Sequence, residues 1–360
     1  MLYSSATRFK EDQMADTQNT QQEYQMNTKL GAIAMFLSAT GMGLVPLFGR
    51  MSTRVDMFDA TKGLNAGDSV GAFMATGRMT IGMLVFILLV FAMHKVEVFK
   101  KLKVSFSILA AGACIGLSLA CYVTSTLLTY VANAVLFIYI GPVICVILAT
   151  IFRKEPFGPV QFACLAAVFI GMLFGNGLIG FNETGFGVDL SLEPSTPEFP
   201  QKGIGDLFGI LSGFFYGGSM FFNGYRKDAD SIARGVWNFL AAAVAAGLTC
   251  ALLNFLGVSG IAGENWALNL HLTSFNWIAT IGFWFICGAF ALGFLLVAGR
   301  NLPAAEYATI AYWEIPVALF VGTVVFSEPI TINTFIALIL IVGGGALPTM
   351  KTLFAKKEAA

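Results

Sequence analysis

The sequence predicts an all-α polytopic membrane protein, ten transmembrane helices arranged as two inverted five-helix repeats. Three observations lead there. Of the 360 residues, 57% are hydrophobic and only 12% charged, with a mean hydropathy of +0.76, whereas a soluble domain carries about 25% charge. The apolar sequence falls into ten stretches, near 30–50, 67–93, 105–127, 130–152, 157–179, 205–225, 233–256, 274–299, 302–327 and 330–349. Each is long enough to cross about 30 Å of hydrocarbon at roughly 1.5 Å per residue. Finally, one construction occurs twice, half a chain apart.

That construction is a polar or small-residue entry, a proline, an apolar run and a closing Glu-Pro. The first copy runs from Tyr130 to Pro156, with Pro142 and Glu155-Pro156; the second runs from Leu302 to Pro329, with Pro316 and Glu328-Pro329. A glycine follows each closing proline by 15 residues, as Gly171 and Gly344. Within a helix each proline leaves the carbonyl four residues earlier without its donor, so Pro142 and Pro316 are expected kinks or hinges that free the Ile138 and Tyr312 carbonyls. The small-residue spacings Gly112/Gly116, Gly171/Gly175 and Gly209/Gly213/Gly217 read as helix-packing grooves.

Basic residues set the orientation. With the N-terminus in the cytoplasm, 16 Lys and Arg fall in cytoplasmic segments and 4 (Arg50, Arg54, Lys62, Lys202) outside, while Arg78 lies within a span. Both termini are therefore expected inside. The division is a polar, disordered tail at 1–29, a first repeat at 30–180, an outside linker at 181–203 carrying Glu183, Asp189, Glu193 and Glu198, a second repeat at 204–350 and a tail at 351–360. An odd number of spans per repeat inverts the second repeat, the arrangement associated with alternating access.

Charges within spans mark the candidate site. On insertion scales a central acid costs about 2.5–3.5 kcal/mol and a Leu, Ile, Val or Phe returns about 0.3–0.6. The ninth span carries two acids, Glu306 and Glu314, and so needs protein or water beside them. Arg78 and Glu314 lie at similar mid-depth. They are expected either to form an ion pair between helices or to leave Arg78 free to bind a substrate carboxylate through its planar fork. Glu306 shares a helical face with Ile310 and Trp313, which suits an organic amine through charge and cation–π attraction, or proton coupling. The matching face of the fourth span offers Asn133 and Phe137. Tyr122, Tyr139, Tyr216 and Asn223 are further candidate liners of the pathway.

Taken together, Pro142, Glu155-Pro156 and Gly171, their counterparts Pro316, Glu328-Pro329 and Gly344, Arg78 in GRMTIG, the sixth-span opening GDLFGILSGFFYGGSMFFNGYR and the segment PAAEYATIAYWEIP resemble the drug/metabolite transporter superfamily, specifically the EamA-type ten-helix transporters. The resemblance covers residues 30–350. In that family the second glutamate often directly precedes the proline, whereas Glu314 stands two residues before Pro316. The resemblance implies a secondary transporter; with the acid and indole of the Glu306–Trp313 face, the expected function is export of a small polar metabolite, such as an amino acid or amine, across the bacterial inner membrane. The alternatives are an importer or facilitator of an organic anion using Arg78, and a non-transporting membrane sensor or scaffold. Neutral net charge argues against nucleic acid as a partner. The expected partners are a small-molecule substrate and the lipid bilayer, with room for a homodimer. No cofactor, metal or catalytic residue is expected. The chain has no GxxxxGK[ST] motif for nucleotide, which leaves proton exchange or facilitation. The six cysteines lie in apolar segments and read as buried free thiols.

Overall fold

A computed structural model describes residues 27–59, 62, 69–152, 159–175, 179–182, 185–188, 195–225, 229–256, 268, 270–302, 310–327 and 331–344. The helices are α1 (Thr28–Gly43), α2 (Val45–Thr53), α3 (Val70–Ala92), the short α4 (Val96–Lys101), α5 (Phe106–Leu128), α6 (Val131–Ile138), α7 (Ile140–Phe152) and α8 (Pro159–Gly175). They continue as α9 (Lys202–Asn223), α10 (Ser231–Leu256), α11 (Ser274–Phe283), a π-helical segment at Trp284–Phe290, α12 (Ala291–Asn301), α13 (Glu314–Phe320), a second π-helical segment at Val321–Val325, and α14 (Ile332–Gly344).

Among the described residues, six helices are long and apolar enough to cross a membrane: Thr28–Thr53, Val70–Ala92, Phe106–Leu128, Asn133–Phe152, Ser231–Phe255 and Ser274–Gly299. Their outward faces carry large apolar side chains, among them Phe106, Phe255 and Ile278, each at least 70% exposed. An aqueous surface does not tolerate so much contiguous apolar area. The molecule is a membrane-type helical bundle.

Local sequence explains where the helices start and bend. Asn27 caps α1 by accepting the Leu30 N–H at 3.0 Å. Pro46 sits in the first turn of α2, so the chain bends at Leu44. Thr273 and Asn276 form a reciprocal capping box on α11. His94, with φ 53°, turns the chain sharply just past α3. Asp230 caps α10, its Oδ1 accepting the N–H groups of Ile232 (3.0 Å) and Ala233 (3.2 Å), while Oδ2 takes Lys95 Nζ at 2.6 Å.

That cap makes a stability prediction. Burial pushes the Asp230 carboxyl up, but the Lys95 hydrogen bond and the Ala233 and Ile232 N–H groups outweigh it and hold it below its ordinary 3.8. A lowered folded value stabilises above the unfolded pKa and is lost as pH falls through the folded one. Asp230→Ala should cost about 1–2 kcal/mol at pH 7, read as a lower melting temperature in detergent. The gap to the parent should close as pH drops below the ordinary carboxylate value. A gap unchanged down to pH 3 would show that the carboxylate charge is not what stabilises the cap.

The two halves interleave. α5 packs on α9 and α10, α3 on α10, and α1 on α12. The glycine grooves sit at these contacts, as the spacings suggest: a Cβ at Gly112 or Gly116 would run into the α10 backbone at Asn238 and Ala242, and one at Gly213 or Gly217 into the carbonyls of Phe137 and Gly141. Gly171 of α8 lies against Ala337 and Ile341 of α14. One end of the bundle carries the Asn27–Asn301 and Lys95–Asp230 contacts, and the other the Arg54–Leu127 and Thr129–Asp206 contacts; these are called the Asn27 end and the Asp206 end below.

Three expectations change. The fold is not purely α: β1 (Ile179–Asn182) and β2 (Gly185–Val188) form an antiparallel hairpin at the start of the expected linker. Gly185, at φ +117°, accommodates its turn. Phe181 pairs with Phe186 across it at 5.4 Å, and Asn333 of α14 bonds both backbone groups of Phe181 (2.8 and 3.2 Å). Among the cysteines, Cys121, Cys250 and Cys287 are buried and free, but Cys114 and Cys145 are only half-buried. The expected tail at 1–29 ends sooner, since α1 already begins at Thr28; residues 1–26, the tail at 351–360, both Glu-Pro pairs and Glu306 lie outside the described residues.

Candidate functional site

Both prolines break their helices in the same way. Pro142 and Pro316 are each the third residue of a helix, α7 and α13, whose preceding turn ends at Tyr139 or at Tyr312-Trp313. A proline in a first turn costs no hydrogen bond. The expectation of a freed Tyr312 carbonyl is corrected, since it accepts the Ile315 N–H at 3.1 Å. The two breaks meet. The Tyr139 and Tyr312 rings lie 5.1 Å apart, and the Tyr139 hydroxyl is 2.9 Å from both the Ala311 carbonyl and Glu314 Oε2.

Glu314 therefore opens α13 at a buried helix break, 4% exposed, with Oε1 lacking a protein partner. Tyr122 of α5, fully buried, lies beside it without reaching hydrogen-bond geometry. Arg78 of α3 is also fully buried and within electrostatic reach of Glu314, Tyr122 and Cys287. Its stem rests on Gly288 in the π-helical segment, where a Cβ would come within 2.8 Å of Arg78 Cγ. Such segments often mark functional sites in helices.

The expected Arg78–Glu314 ion pair is not formed. Arg78 Nη2 points at the Met42 sulfur at 2.8 Å, a weak acceptor, and the guanidinium lies 5.4 Å from the Phe283 ring. Arg78 Nε and Nη1 have no protein partner. A buried cation and a buried acid thus share one region, each with unmatched hydrogen-bonding capacity. Such groups are costly to bury and are functional by default inside a membrane.

The other candidates divide. Tyr139 and Tyr122 join the central site. Trp313 does not: it is 41% exposed, stacks on Phe36 at 4.9 Å and donates Nε1–H to Thr40 Oγ1 at 3.1 Å, both on α1. Ile310 packs against the core, and its expected partner Glu306 lies outside the described residues. Asn133 is buried but committed elsewhere, donating to Asp206 Oδ1 at 3.3 Å. Phe137 packs its side chain against Gly209 of α9.

Asp206 was not expected. It is 7% exposed and also accepts Thr129 Oγ1–H at 2.7 Å and Lys202 Nζ at 2.7 Å. Beside it Arg50 and Arg54 lie 5.7 and 5.6 Å from the Phe199 ring, with Phe326 against Arg50 at 4.4 Å and Tyr130 against Phe199 at 4.8 Å. This network closes the Asp206 end. The i, i+4 spacing of Lys202 and Asp206 was its sequence signal.

No family model matches the chain, and no curated protein matches it. It is similar to a solved structure described only as the crystal structure of a protein, at 18% identity and a TM-score of 0.56 over 92% of this chain and 99% of the other. At that identity the likeness shows the fold alone: nearly the whole chain follows a known arrangement.

Proposed function

We propose that this chain is a secondary transporter that exports a small zwitterionic metabolite, such as an amino acid, across the bacterial inner membrane by alternating access. The observation that carries it is the buried Arg78 and Glu314, unpaired with each other where two broken helices meet. The Arg78 fork suits a carboxylate and Glu314 an ammonium, and helix breaks at mid-depth are where secondary transporters bind substrate. An organic-anion carrier would use Arg78 but has no task for Glu314. The matched breaks at Pro142 and Pro316 support ten spans as two inverted repeats, and the basic-residue asymmetry supports cytoplasmic termini. Both fit the EamA-type resemblance.

The hydrogen bonds support a proton-coupled mechanism. Tyr139 has one proton for two acceptors, the Ala311 carbonyl and Glu314. A proton on Glu314 satisfies both contacts when substrate is absent; the substrate ammonium replaces it when bound. Proteoliposomes test this. Leucine should exchange in a saturable, protein-dependent way, and an opposing pH gradient should drive net flux. Protein-free rates for leucine, 3-methylbutylamine and 4-methylvalerate alike would favour the sensor or scaffold reading.

A further inference from the structure

A cavity enclosing about 430 Å³ of empty space, its open mouth included, lies between α3, α5, α9, α10 and α12. One wall is polar, with Tyr216, Ser219 and Asn223 on α9 facing Asn238 on α10; Met79 and Phe239 belong to the apolar remainder. Met79 leaves α3 about 100° around the helix from Arg78, so this is a different compartment from the charged site. Its lining residues on the later turns of α9 and the first turns of α10 place it in the half of the bundle nearer the Asn27 end. Its enclosed part is only about 30 Å³, so a ligand would lie largely in the open half of the cleft.

Asn238 is the informative residue. It is 6% exposed, it lines the cavity, and its Oδ1 has no protein partner. A buried amide normally finds one. Across from it Asn223 Oδ1 is taken by Arg234, which turns Nδ2 toward Ser219 Oγ at a long 3.4 Å. Among the described residues, the cavity lining contains amide, hydroxyl and apolar groups but no charged side chain. A charged head entering it would lose its hydration without gaining a counter-charge.

We infer that this cavity is a second binding site, for a neutral small molecule with a hydrogen-bonding head held by Asn238, Asn223 and Ser219 and an apolar body against Met79 and Phe239. The charged central site cannot serve such a ligand, and this cavity cannot serve a charged one. Binding here does not depend on the chain transporting anything.

The probe is 4-methylvaleramide, neutral and leucine-sized, added to purified full-length protein and followed by saturation-transfer NMR and calorimetry. It should bind saturably, with its anionic counterpart 4-methylvalerate at least tenfold weaker. Asn238→Leu keeps the volume and removes the orphan amide, so the melting temperature should hold or rise while amide affinity falls at least tenfold. Ser219→Ala is a second, milder variant and should weaken the amide about threefold. Arg78→Met should leave amide affinity unchanged. Absence of saturable amide binding, or affinity indifferent to both Asn238→Leu and Ser219→Ala, would overturn the assignment. Loss of amide binding in Arg78→Met alone would overturn it too, moving the probe to the charged site.

Discussion

Arg78→Met should abolish transport without harming the fold. The substitution keeps the unbranched stem that lies on Gly288 and removes a guanidinium whose protein partners are a thioether and the edge of an aromatic environment. Had Arg78 been ion-paired with Glu314, its removal would strand the acid at a cost of about 3–5 kcal/mol. The structure shows no such pair, so stability should hold or rise by up to about 4 kcal/mol, the range seen when buried charges give way to apolar groups. Substrate loses its carboxylate partner, a loss of about 2–5 kcal/mol, or at least tenfold in flux. The check is melting temperature beside proteoliposome exchange. A large fall in melting temperature would make Arg78 a structural residue. In a double-mutant cycle with Glu314→Leu, the coupling should stay below the about 3–5 kcal/mol expected of a buried ion pair, since the two interact at a distance without contact.

Glu314→Gln should be as damaging to flux and equally mild to the fold. Gln is isosteric, and its carbonyl can still accept the Tyr139 hydroxyl that Glu314 Oε2 now holds. What disappears is the charge for an ammonium and the carboxyl group that can carry a proton at the junction of the two helix breaks. Exchange should fall at least tenfold, and whatever flux survives should no longer depend on pH. Exchange within twofold of the parent, with pH dependence intact, would leave Glu314 a structural acid and return attention to Glu306. Tyr139→Phe separates positioning from binding: it should shift the pH profile of exchange while flux at the optimum persists.

Much of this fold can be read from hydropathy, because a stretch such as Val70–Ala92 or Phe106–Leu128 has only one economical environment. The helix breaks are equally legible, since Pro142 and Pro316 restrict the backbone wherever they stand. What sequence does not reveal is which way a side chain faces when both faces of the helix are apolar, one toward lipid and one toward protein. Trp313 illustrates this. Its spacing from Ile310 assumes an unbroken helix, but the turn at Tyr312-Trp313 rotates it onto α1 and sends Glu314 inward. Asn133 fails differently, because its partner Asp206 comes from the other half of the chain and nothing in either segment announces the pairing. That Arg78 and Glu314 are charges placed within apolar helices was legible; that both are buried in one region without touching follows from Met42 and Gly288, long-range neighbours that periodicity does not encode. The hairpin at 179–188 is short and glycine-rich, a weak strand signal made stable by Asn333.

The central claim is that Arg78 and Glu314 act on one ligand from its two charged ends. Equilibrium binding to the purified protein tests it with three molecules of one carbon skeleton: L-leucine, 4-methylvalerate without the ammonium, and 3-methylbutylamine without the carboxylate. Each single-charge analogue leaves one buried group unpaired, at about 2–5 kcal/mol, so leucine should bind at least tenfold more tightly than either. If either analogue binds as tightly as leucine, the protein does not hold a zwitterion between these two residues.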